Sequence, residues 1–117
     1  MPDNTVTIYH NPRCSKSRNT LALLQQNGIE PTIVEYLKQP PDRAALKSIV
    51  KKLGVEPEQI VRKGEDAYKQ AYAGKTLSGD QWLDALATHP ILIERPIVVK
   101  GNRAVIGRPP ENVLDLI

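Results

Sequence analysis

The chain has 117 residues, 40% of them hydrophobic and 25% charged, with a formal net charge of +3. That suffices for one core but not two, and no run is long and apolar enough to span a bilayer or drive export, so one domain over 1–117, in the cytoplasm and with no membrane partner, is expected. One cysteine excludes an intrachain disulfide, and a small charge surplus with Trp 1, Tyr 4 and Phe 0 argues against nucleic acid and for a small anionic ligand.

Met1 to Thr5 reads as a leader. Val6-Thr7-Ile8-Tyr9 predicts a short buried strand, broken by Asn11-Pro12. A helix follows from about Ser15 to Asn27, with Leu21, Ala22 and Leu24 as core candidates and Gly28 as its stop. Thr32 to Tyr36 predicts a second strand. Strand, helix and strand within this length form a βαβ unit, so the two strands should be parallel.

Pro40-Pro41-Asp42 opens a helix that ends at Gly54, with Ala45, Leu46, Ile49, Val50 and Leu53 as its apolar face. Between Pro57 and Thr88 the pattern is helical but interrupted: Pro57 to Val61, Glu65 to Tyr72, and a third helix whose Ser78 and Gln81 form a capping box. Trp82 is expected to anchor this helical insert, and His89 to take a capping or surface role at a helix end. Ile97-Val98-Val99 and Ala104-Val105-Ile106 then flank Gly101-Asn102 as a hairpin. Pro109-Pro110 starts a closing helix through Val113, Leu114 and Ile117. The order is that of an α/β thioredoxin-like mixed sheet with an all-helical insertion at about 40–90. No heptad or apolar stripe calls for more than a monomer.

The chemistry centres on His10-Asn11-Pro12-Arg13-Cys14-Ser15-Lys16-Ser17-Arg18. Here the lone cysteine sits where a helix begins, so open backbone N–H groups, the helix dipole and nearby cations all favour a thiolate. A buried structural cysteine would instead have apolar neighbours. By type and spacing His10 either bonds the thiolate or its surroundings or simply satisfies loop carbonyls. Arg62, Arg95 and Arg108 stand at element boundaries, and guanidinium forks converging on a thiolate would make an oxyanion pocket. Two histidines and one cysteine do not match zinc spacing, so no metal is expected. Pro96, just ahead of the third strand, reads two ways: trans by the low base rate of cis X-Pro bonds, or cis against the reactive cysteine as in a thioredoxin-like layout.

Tyr9-His10-Asn11-Pro12-x-Cys14-x-x-Ser17-Arg18-Asn19-Thr20-Leu21 resembles the opening motif of the glutaredoxin-coupled arsenate reductase family. The likeness continues through Glu30-Pro31-Thr32-Ile33, Arg62-Lys63, His89-Pro90-Ile91-Leu92-Ile93, Arg95-Pro96-Ile97-Val98-Val99 and Arg108-Pro109. It implies a thioredoxin-like fold, Cys14 as nucleophile with His10 associated, an oxyanion held by Arg62, Arg95, Arg108 and Arg18, and a cis-proline at Pro96. It further implies a scheme without a bound cofactor. Cys14 attacks arsenate or a similar oxyanion, glutathione as co-substrate reduces the adduct and is left on Cys14, and glutaredoxin removes it, releasing arsenite. The chain departs at Cys14-Ser15-Lys16-Ser17, where established arsenate reducers read Cys-Gly-Thr-Ser, and resembles a housekeeping branch.

Two rivals lose on single residues. Redox regulators of the superfamily that bind RNA polymerase sense oxidants with Cys-x-x-Cys, but Ser17 fills the second position here. Phosphatase-like enzymes need Cys-x5-Arg, and Thr20 stands where that arginine belongs. A thiol-dependent reductase of another oxyanion or of a mixed disulfide remains an alternative.

Overall fold

The computed structural model describes residues 5–117, so all of the expected leader except Thr5 lies outside the described residues. The chain forms two compact units: one runs to Gln39 and resumes over Arg95–Ile117, and the other is Pro40–Glu94.

The first unit holds a four-stranded sheet in the order β2-β1-β3-β4, formed by β1 (Val6–His10), β2 (Thr32–Glu35), β3 (Ile97–Lys100) and β4 (Arg103–Ile106). β1 pairs parallel with β2, and β3 runs antiparallel to both β1 and β4. Helix α1 (Ser15–Gln26) makes the crossover between β1 and β2, as the length of the connection requires. Lys100 pairs with Arg103, which leaves Gly101-Asn102 as the two-residue turn predicted.

Alternation along β1 buries Val6, Ile8 and His10. Val6 and Ile8 join Leu24, Val98, Val113 and Leu116 in one core, with Leu21, Leu23, Ile29, Val105 and Ile117 packed against it. Each fully buried aliphatic side chain there contributes about 1.5–3 kcal/mol. α1 ends in a Schellman arrangement: Gly28 at φ +78° donates to Gln25 O at 3.0 Å, and Ile29 N donates to Leu24 O at 3.0 Å. The motif draws Ile29 onto Leu24 and so ties the helix stop to the core.

Two core expectations are corrected. Ala22 is exposed, because the inward row of α1 is Ser17, Thr20 and Leu24, and Ala22 lies across the helix from it. The closing segment is a 3₁₀ helix, Pro110–Asp115, not an α-helix. Three residues per turn align Val113 with Leu116 toward the core, leaving Leu114 45% exposed.

In the second unit, α2 (Arg43–Leu53) is capped by Asp42, whose Oδ1 accepts from Ala45 N at 2.8 Å, and it stops at Gly54. A 3₁₀ turn, Pro57–Ile60, leads to Val61, which bridges to Ile93. α3 (Asp66–Ala71) and α4 (Gly79–Thr88) follow. Trp82 is 2% exposed, stacked on Tyr68 at 6.2 Å and tilted against Tyr72 at 5.8 Å, as expected of an anchor. His89 is the C-cap of α4 and meets Tyr72 edge-on. At the other end of α4, Ser78 Oγ accepts from Gln81 N at 3.2 Å while Gln81 Oε1 accepts from Ser78 N at 2.8 Å. Ser78→Ala should therefore cost about 1 kcal/mol, read as a lower urea midpoint with unchanged slope. No helix among the described residues is long and apolar enough to cross a membrane.

Candidate active site

The loop from β1 into α1 builds the site. Pro12 ends the strand, and a tight turn closes with Cys14 N donating to Asn11 O at 3.0 Å. Asn11 Oδ1 accepts from Arg13 N at 3.0 Å, a side-chain turn that holds the loop in place. Cys14 becomes the N-cap of α1, half-buried and with extended backbone, and its carbonyl accepts from Arg18 N at 3.0 Å. Helix geometry thus aims the open N–H groups of the first turn toward the sulfur.

Opposing effects act on the thiol. Burial raises its pKa, but the backbone N–H groups of Ser17 and Lys16 face the sulfur, and Arg95 adds its charge and a hydrogen bond. The balance sets the thiol below its ordinary value. The N–H contacts act electrostatically from the first turn, since no strict side-chain cap bond closes at Cys14.

His10 does not bond the sulfur. Its Nδ1 lies 2.6 Å from Ser17 Oγ, which also accepts from Asn11 N at 3.0 Å. Whichever tautomer the ring adopts, that one bond and the Asn11 amide hold the Ser17 hydroxyl between strand and helix. The ring is held neutral: burial lowers its pKa most, Glu35 beside it works in the opposite direction, and Arg18 lowers it further. His10 therefore clamps Ser17, whose own backbone N–H faces Cys14. Sequence reasoning named His10 and left Ser17 unassigned; the signal was the seven-residue spacing, which returns a helix's first turn to the strand before it.

The arginines take different places. Arg95 acts on the sulfur and is joined to Pro96 by a cis peptide bond. Arg18 Nη1 donates to Pro12 O at 2.9 Å, bracing the loop. Arg108 is exposed beyond β4, its carbonyl accepting from Asn112 Nδ2 at 3.2 Å, and Arg108-Pro109 is a second cis bond that the sequence reading did not include. Arg62 belongs to the second unit, where its guanidinium pairs with Glu65 and donates to Ile91 O at 3.2 Å. Behind the loop, Thr20 Oγ1 lies 2.8 Å from Lys16 O and 3.1 Å from Gly107 O, and Gly107 N donates to Pro96 O at 2.9 Å. That chain links α1 to the Arg95-Pro96 segment. Among the described residues no cluster of His, Cys, Asp and Glu is fit to hold a metal ion.

The sequence model of the ArsC family matches residues 9–116, from the end of β1 through the loop and the other three strands. The chain belongs to the ArsC family. It is 47% identical over 115 residues to the arsenate reductase of Haemophilus influenzae, covering 97% of this chain and 99% of that one. It is 49% identical over 114 residues to the uncharacterized protein YfgD of Escherichia coli K12, covering 96% of each. The solved arsenate reductase of Vibrio cholerae superposes with a TM-score of 0.94 at 47% identity, over 98% of this chain and 99% of that one. The ArsC-family fold here is the thioredoxin-like one that the element order implied.

For this ArsC-family loop, the balance of charges makes a pH prediction. Thiolate is the alkylated species, so the midpoint of the pH profile for iodoacetamide modification of Cys14 should lie below that of a free thiol. Arg95→Gln removes the favourable charge, and the midpoint should rise by roughly one unit. A midpoint unmoved by the substitution would show that Arg95 does not act on the sulfur.

Proposed function

We propose that this protein is a glutathione- and glutaredoxin-dependent arsenate reductase acting in the cytoplasm, with Cys14 as the nucleophile. The observation that carries the reading is a lone thiol lowered in pKa at the N-terminus of α1 with the Arg95 guanidinium bonded to it, in a chain whose relatives include arsenate reductases at 47% identity. Arg95 binds and orients the tetrahedral oxyanion, Arg108 and Arg18 add positive potential, and Pro96 lines the approach to the sulfur. His10 acts through Ser17, keeping the first-turn N–H groups aimed at the thiolate.

The steps balance with one protein thiol. The Cys14 thiolate bonds to arsenic(V), and an oxygen leaves as water. A glutathione thiolate then attacks Cys14 Sγ, and the sulfur–arsenic pair passes to arsenic, reducing it to arsenic(III). Arsenite and a Cys14–glutathione disulfide result. A glutaredoxin thiolate takes the glutathione and returns Cys14 to thiolate. A single cysteine suits this scheme, because the resolving thiols come from outside.

The test is arsenate-dependent NADPH oxidation with glutathione, glutaredoxin and glutathione reductase. Turnover that stops when any one component is omitted supports the reading. Absence of turnover with arsenate, alongside a reactive Cys14, rejects arsenate as substrate. A parallel run with a glutathione mixed disulfide tests the alternative of a thiol-dependent reductase acting on that substrate.

A further inference from the structure

A reductase working through one sulfur must bring two unlike reactants to it, an oxyanion and a thiol. The sheet order separates the ground on which they can arrive. β3 and β4 lie on one side of β1, and Arg95 enters from just ahead of β3. β2 lies on the other side. There a cavity of about 240 Å³ opens beside the catalytic loop, bounded by His10, Pro12, Arg13, Glu35, Leu37 and Lys38 among others.

We propose that this cavity is the subsite for the reducing thiol, a small zwitterionic thiol peptide. The proposal rests on the function proposed above, in which that peptide is glutathione. Arg13 and Lys38 supply two cations and Glu35 one carboxylate. Glutathione carries the inverse set, two carboxylates and one ammonium, beside its thiol. Glu35 and Lys38 pair loosely, at 3.6 Å with side chains 38% and 77% exposed, so each can exchange its partner for a ligand group. Pro12 and Leu37 give apolar walls, and Leu37 is 45% exposed, a surface that a bound peptide would cover. The volume falls below the ~300–1,000 Å³ of pockets that enclose a whole ligand. The cavity therefore seats part of the peptide while the charged rim holds its ends. Cys14 directly follows Arg13, and its amide closes the turn on Asn11 O, so cavity lip and sulfur belong to one turn. Arg18 braces that turn through Pro12 O, leaving the cavity wall preformed.

The experiment has two arms, with glutaredoxin titrated in parallel in the first. The first titrates S-methylglutathione, which cannot react, into ¹⁵N-labelled Cys14→Ser protein and follows amide shifts. The second measures Lys38→Glu in the coupled assay. Shifts concentrated on Asn11, Arg13 and 35–38, with the KM for glutathione raised about fivefold and the arsenate KM and Cys14 alkylation rate unchanged, are expected. Glutathione-dependent turnover with shifts elsewhere, or with an unchanged glutathione KM, overturns the subsite and leaves the proposed function standing. Shifts at these residues with glutaredoxin but not with S-methylglutathione assign the cavity to the protein partner and overturn it too. Turnover that never depends on glutathione rejects the function first, and the subsite with it.

Discussion

Cys14→Ser should reduce coupled arsenate turnover by about 10³-fold or more while leaving the thermal midpoint essentially unchanged. A serine hydroxyl stays protonated at neutral pH, so the two first-turn N–H groups and Arg95 have no anion to stabilise and arsenic meets no nucleophile. The fold loses little, because Cys14 is only half-buried, its side chain closes no strict cap bond, and serine is itself a favoured N-cap residue. Measured kcat and the unfolding curve separate the two effects. Substantial residual turnover would mean that a thiol from solution does the chemistry and that Cys14 is not the nucleophile.

Gly107→Ala should be the most damaging glycine substitution outside the turns. A Cβ built there would meet Thr20 Oγ1 at 2.7 Å, Thr20 Cγ2 at 2.8 Å and Pro96 Cγ at 3.0 Å. Thr20 cannot swing aside without giving up the bond its hydroxyl shares between Lys16 O and Gly107 O, and Pro96 is a rigid ring whose carbonyl accepts from Gly107 N. Overpacking of this kind costs about 1–3 kcal/mol. It should also reach the site, since Pro96 carries Arg95: alkylation of Cys14 should require higher pH than in the parent. Gly64→Ala is the control, because nothing lies within 4 Å of its Cβ position. The urea midpoint should drop for Gly107→Ala and hold for Gly64→Ala. Equal midpoints in both variants would show that the contact relaxes at no cost, removing Thr20–Gly107 as the link between helix and arginine.

The course of the chain was legible where the signals are local. Capping residues, turn glycines and the alternation of Val6 and Ile8 act over a few residues, so the helix starts at Asp42 and Ser78, the stop at Gly28 and the hairpin at Gly101 all fall where the sequence puts them. The N-cap position of Cys14 belongs with these. A strand broken by Asn11-Pro12 and followed at once by a helix leaves the cysteine at the N-cap whatever surrounds it. The closing segment was misread because two prolines signal a helical start without separating 3₁₀ from α, and only packing of Val113 and Leu116 on one core decides between them.

What the amino-acid order determined by itself is thus the sequence of elements, their caps and a thiol exposed to a helix terminus. Tertiary structure decided which partners His10 and Arg95 take. Arg18 and Arg95 are equal candidates by type, yet Arg18 is spent on Pro12 O, while β3, paired beside β1, delivers Arg95 to the sulfur. His10 lies close to the cysteine in the chain, yet strand alternation buries it where α1 presents Ser17. The reason is one of range. Caps and turns are satisfied by backbone groups a few residues away, whereas a guanidinium or imidazole has a long reach, and its partner is set by which strands lie side by side.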